Sequence, residues 1–177
     1  MSSHAILSDP SWYLCASSQK TPWNITTNAV FLVLSYYYWR IRPIPVLSVG
    51  LFLLFLGSSL FHIHPKKWTL FLDRLAMIIV FSKVYETFHP AYSWGTYFVV
   101  GLATLVYWDL TDEILYYYLY QALGVLLFLI YYTGVSVKTK WGIAVATILV
   151  QFSQLIEKGR YHGWKHILLG GILLLVV

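Results

Sequence analysis

Residues 45–62 read PVLSVGLFLLFLGSSLFH, a run without a charged side chain, bounded by Arg40 and Arg42 before it and by Pro65, Lys66 and Lys67 after it. A helix that crosses about 30 Å of hydrocarbon needs roughly 20 residues, because each residue rises about 1.5 Å. The run meets that length and carries the flanking cations of a membrane span. Working outward, the remaining charges and prolines divide the chain by the same ruler. One span precedes the run, from about Asn24 to Trp39. The others cover Trp68 to Tyr85, Ser93 to Trp108, Ile114 to Tyr132, Trp141 to Leu155 and Tyr161 to Val177. Trp23, Trp39, Trp68, Trp94, Trp108 and Trp141 stand near the ends of these runs, where amphipathic rings prefer the headgroup level. The expected fold is all-α: a polytopic membrane protein forming a seven-transmembrane-helix bundle. It is expected as one domain over residues 1–177, with a short non-membrane segment at about 1–22.

Composition agrees with this reading. The chain is 59% hydrophobic and 11% charged, with mean hydropathy +0.66, whereas a soluble domain is about 25% charged. There is too little charge to coat a globule. The net charge of +5 falls in ones and twos between apolar runs, as in membrane loops, which excludes nucleic acid as a partner. No basic start followed by an apolar core precedes Pro22, so no cleavable signal peptide is expected and the first span acts as the targeting signal. Cys15 is the single cysteine and forms no internal disulfide. Arg40, Arg42, Lys83, Lys138 and Lys140 fall on one membrane side and Lys20, Lys66, Lys67, Lys158 and Arg160 on the other, so the Lys/Arg rule sets no orientation.

Ionisable groups inside spans are costly and are functional candidates by default. Under the seven-span reading, His62, Asp73, His162 and His166 all fall on the side of the amino terminus. His162 and His166 are spaced i, i+4, so both project from one helix face and can reach a common metal. His62 would supply a third ligand. Three protein ligands and an open position describe a catalytic zinc site, whereas closed structural sites are rich in cysteine. Ser58, four residues before His62, shares its helix face and is placed to support a developing oxyanion. Asp73 is placed to orient a histidine or to take a proton from an activated water. The competing readings are plain: the histidine pair as interfacial residues at a helix start, and Ser58 as a small packing residue beside Gly57 and Ser59. His64 and His89 adjoin prolines in loops and His4 lies near the terminus, so these three are not read as ligands. Asn24 and Asn28 repeat the i, i+4 spacing on the same side; Asn24 suits an N-cap, and Asn28 requires a partner in the membrane. Asn24-Ile25-Thr26 is also a glycosylation sequon, too close to the membrane for use to be expected.

Taken in order, Trp23-Asn24 with Asn28, Ser58-Ser59-Leu60-Phe61-His62, Leu72-Asp73-Arg74-Leu75-Ala76-Met77 and His162-Gly163-Trp164-Lys165-His166 resemble the alkaline ceramidases. That family belongs to the wider CREST group of seven-span membrane hydrolases. The Asp-Arg-Leu-x-Met run looks most like the short bacterial-type members, in which a Glu precedes the last histidine pair as Glu157 does here. The resemblance implies zinc on His62, His162 and His166, with Ser58 and Asp73 assisting and Asn24, Asn28 and Glu157 as supporting polar residues. It implies hydrolysis of a ceramide-like N-acyl lipid to a sphingoid base or amine and a fatty acid, in sphingolipid metabolism. The host would be a bacterial inner membrane or a membrane of endoplasmic reticulum or Golgi type. The calcium-binding acids of animal and yeast ceramidases are not matched, since only Asp9 remains in that region and Thr21 stands where an acid is expected; calcium is not expected. Two other classes fit the pattern less well. A receptor-like or regulatory seven-span protein would keep a structural zinc, and a small transporter would need mid-membrane polar residues beyond Gln121, Gln151 and Gln154.

Overall fold

The computed structural model describes residues 22–113, 115–156 and 162–177; the side chains of 148–156, 162, 175 and 176 fall outside that description. Expectations resting on Asp9, Cys15, Thr21, Glu157 or the side chains of Gln151, Gln154 and His162 therefore lie outside the described residues.

All regular structure among the described residues is helical. The elements are α1 (Pro22–Thr27), α2 (Ala29–Arg40), α3 (Pro45–Ile63), α4 (Lys67–Phe88), α5 (Trp94–Thr111), α6 (Leu115–Tyr131), α7 (Val137–Ile156) and α8 (His162–Val176). Prolines and local caps set most of the boundaries. Pro43 and Pro45 bracket the turn between α2 and α3, and Pro45 opens α3 at a position where its missing N–H costs nothing. His64-Pro65 and His89-Pro90 end α3 and α4, because the residue before a proline is driven out of the helical region. The Thr69 hydroxyl accepts from the Lys66 N–H at 3.0 Å, which caps α4. Asp112 ends α5 in the left-handed region at φ 60°.

The first expected span is broken. Asn28 keeps right-handed angles, but its N–H bonds to Ile25 O at 3.2 Å and its carbonyl accepts from the Phe31 N–H at 2.9 Å. Both bonds reach three residues rather than four, so a tighter turn divides α1 from α2. Asn24 lies inside α1 and is buried, which corrects its reading as a cap.

α4 is the hub, packed against α3, α5 and α6; α8 packs on α1, α2 and α7 and closes the ring. Polar ties reinforce the ring. Ser82 and Tyr120 hydroxyls lie 2.9 Å apart between α4 and α6, and Tyr38 donates to Leu173 O at 2.7 Å between α2 and α8. Beside the site α3 runs directly against the α4 backbone at Gly57, where a Cβ would sit 3.1 Å from both Asp73 Cα and Asp73 N. Any larger side chain there would push α3 from α4.

By length and composition, α3 alone among the described residues is able to cross a membrane, with mean hydropathy 2.1; the apolar stretches Leu115–Tyr131 and Gly163–Leu174 are shorter. α4 is long but carries Lys67, Asp73, Arg74, Lys83 and Glu86. The structure thus gives an all-helical bundle with one membrane-capable helix, a coarser result than the seven spans expected.

Candidate functional site

The last turns of α3, the first turns of α4, the start of α8 and the α1–α2 break meet at one end of the bundle. Helical spacing on α3 turns Ser58 and His62 inward together, and both are buried. Asp73 and Arg74 enter from α4 and are buried as well. His166 enters from α8 and is likewise buried. The His62 and His166 rings stand 5.9 Å apart at 59°, although they are separated by most of the chain. His166 also meets Phe31 edge-on at 5.3 Å.

Polar neighbours hold these groups. The His166 Nδ1 and Thr27 Oγ1 atoms lie 3.1 Å apart. When Nδ1 carries the proton and donates to Thr27, Nε2 presents the lone pair a metal accepts, the usual arrangement by which an outer partner orients a ligand histidine. Asn28 Nδ2 donates to Ser59 Oγ at 3.2 Å, while Asn28 Oδ1 is buried with no hydrogen-bond partner among the described residues. Ser58 and Lys165 are polar neighbours of Asp73, and Arg74 lies near Lys165. Arg74 lies over the Tyr117 ring at 5.2 Å and reaches Met77 Sδ at 3.4 Å.

Ser58, Asp73, Arg74, Lys165 and His166 line a cavity of about 20 Å³ walled by apolar side chains. That is roughly room for one water molecule. A cavity lined by a carboxyl group, a hydroxyl, a guanidinium and a lysine amine is suited to proton transfer and to holding developing negative charge.

Of the residues singled out in the sequence, the structure gathers Ser58, His62, Asp73 and His166, with Asn24 and Asn28 close behind. The backbone of His162 opens α8 one turn before His166, as the spacing requires, but its side chain and all of Glu157 lie outside the described residues. Among the described residues no group of three or more His, Cys, Asp or Glu side chains is arranged to hold a metal. His62 and His166 are two imidazoles at ring distance, and the side chain of His162 lies outside the described residues. His64 is exposed at the end of α3, and His89 sits at the opposite end of the bundle, where its Nδ1 lies 3.0 Å from the Tyr97 hydroxyl. Sequence reasoning gave no role to Thr27, Arg74 or Lys165. Thr27 completes the inward stripe Asn24, Thr27, Asn28, and the two cations were legible as charges inside spans.

Neither a protein-family model, nor a curated protein, nor a solved structure matches this chain.

Proposed function

We propose that the chain is a multi-pass membrane hydrolase of the alkaline ceramidase type, a zinc-dependent amidase acting on ceramide-like N-acyl lipids. The observation that carries this reading is the approach of the His62 and His166 rings to 5.9 Å, with His166 lining a small cavity together with Ser58 and Asp73. The surface supports the membrane setting. Val33, Tyr36, Val99, Leu110 and Ile130 are among many large apolar side chains left more than half exposed, while Asn28, His62, Asp73 and Arg74 are buried. That distribution is the reverse of a water-soluble protein's and suits hydrocarbon around the bundle.

His62, His166 and, by its helical spacing, His162 would hold the zinc. Bound there, the metal supplies a water acidic enough to be deprotonated near neutral pH. The Asp73 carboxylate accepts the proton from the attacking water and returns it to the amide nitrogen, so water and amide become a fatty acid and an amine. The Ser58 hydroxyl fixes that carboxylate in the ground state and donates to the carbonyl oxygen as charge develops on it. Thr27 keeps the His166 ring in register.

The test is metal content and turnover together. Purified protein is expected to hold about one zinc per chain, lost in His166→Ala, and to release fatty acid from ceramide or another N-acyl lipid. Well-folded protein without metal would refute the reading. One observation favours a second reading, a receptor-like or regulatory protein with a structural zinc: a cavity of about 20 Å³ does not admit a lipid amide without opening. Zinc without turnover, and a function unchanged in Asp73→Asn, would select it.

A further inference from the structure

A second concavity lies on the outside of the bundle, between α2 and α3 and near the turn that joins them. It measures about 460 Å³, within the range of about 300–1,000 Å³ typical of small-molecule sites. Tyr36 and Trp39 form one wall, Val49 and Phe52 the other, and Ser35 and Ser48 the floor. The four wall residues are all exposed. The floor is polar in name only: Ser35 Oγ donates to Ser48 O at 2.8 Å and Ser48 Oγ donates to Ser35 O at 2.7 Å. With both hydroxyl protons engaged by backbone, the groove offers its occupant hydrocarbon and aromatic surface.

The end of the groove is basic. Leu32 and Tyr36 are one helical turn apart in its lining, and Arg40 continues that stripe one turn further on, next to the lining residue Trp39. Arg42 follows in the connecting turn. Both are exposed, and among the described residues neither takes part in an ion pair. Lys83, by contrast, pairs with Glu86, and Lys67 lies 3.1 Å from the Asp112 carboxylate; Lys66 and Lys138, like the two arginines, take part in no ion pair among the described residues. Trp39, beside Arg40, is the side chain expected at headgroup depth.

We propose that this groove binds one anionic phospholipid, its phosphate held by Arg40 and Arg42 and one acyl chain laid between Tyr36, Trp39, Val49 and Phe52. An apolar channel open to the exterior adjoins two exposed guanidiniums that are in no ion pair among the described residues, and their forked donors match phosphate oxygens better than a compact ammonium does. The groove is not the substrate site. Its α3 wall lies ten or more residues before His62, about 15 Å along the helix. The proposal rests on the membrane setting of the preceding section but on neither the zinc nor the amidase chemistry.

Native mass spectrometry of the detergent-purified full chain, incubated with equimolar phosphatidylglycerol and phosphatidylcholine of identical acyl chains, tests it. The wild type is expected to retain phosphatidylglycerol preferentially, with the preference falling about fivefold for each arginine removed in Arg40→Gln and Arg42→Gln and weakening as salt rises. Val49→Trp, a change on an exposed wall, is expected to reduce retention of both lipids by filling the groove. No preference in the wild type, an unchanged preference in the double arginine variant, or full retention in a folded Val49→Trp would each overturn the proposal. Alkaline carbonate extraction of cell membranes separates the two levels. A chain absent from the extracted membrane pellet fails the membrane reading itself, whereas a chain present there with no lipid preference fails this proposal alone.

Discussion

Replacing Gly57 by alanine tests the helix contact on which the site depends. A Cβ at residue 57 would lie 3.1 Å from Asp73 Cα, 3.1 Å from Asp73 N and 3.2 Å from Leu72 C. All three are backbone atoms of α4, so no side chain can swing aside and α3 must move outward by a few tenths of an ångström. Alanine in a helix interior gains about 1 kcal/mol over glycine, while overpacking a tight contact costs about 1–3 kcal/mol. Backbone on the far side puts the cost in the upper part of that range, for a net loss of about 1–2 kcal/mol. In a chain of this size that corresponds to a fall in Tm of about 2–8 °C. Gly142 is the internal control, because a Cβ there meets nothing within 4 Å; Gly142→Ala is expected to raise Tm by a few degrees through propensity alone. Both variants are read by thermal unfolding in the same detergent. Equal stabilisation of the two would show that α3 and α4 do not approach as closely beside Asp73 as the geometry requires.

Three further outcomes follow from individual contacts. Thr27→Val removes the partner of His166 Nδ1 and is expected to weaken zinc binding about 10- to 100-fold, measured by competition with a chromophoric chelator; unchanged affinity would mean that Thr27 does not orient the ring. Asp73→Asn is expected to leave metal content intact and to lower amide hydrolysis by about 10²- to 10⁴-fold; turnover near the wild-type rate would remove Asp73 from proton transfer. Tyr38→Phe deletes the buried bond to Leu173 O, which keeps its bond from the Val177 N–H at 3.1 Å, so it is expected to cost about 0.5–1.5 kcal/mol in thermal unfolding while sparing zinc affinity, since it ties α8 far along the helix from His166.

Element existence was legible along the chain because its signals are local. Prolines and paired cations bracket α3 as residues 45–62 in sequence and 45–63 in the structure, and the acidic break at Asp109, Asp112 and Glu113 opens the apolar run of α6, 114–132 in sequence against 115–131. The break at Asn28 was not legible, since no proline or glycine marks it; the inward packing of Asn24, Thr27 and Asn28 beside α8 accompanies it. Within the site, the i, i+4 spacings of Ser58 with His62 and of His162 with His166 were readable because helical geometry fixes which side chains share a face. Which faces meet was not.

Sequence by itself therefore determined the helical content, the approximate helix boundaries, the apolar character of the chain and a short set of polar residues whose presence among apolar runs called for partners. Tertiary structure decided that α4 is the hub, that His62 meets His166 across the closure of α8 onto α1 and α2, that Thr27 and Lys165 join them, and that an apolar groove lies between α2 and α3. The reason is physical: capping, periodicity and chain stiffness act over a few residues, whereas these contacts depend on how closely helices can approach. That distance is set by small residues such as Gly57, whose effect appears only when a neighbouring backbone lies against them.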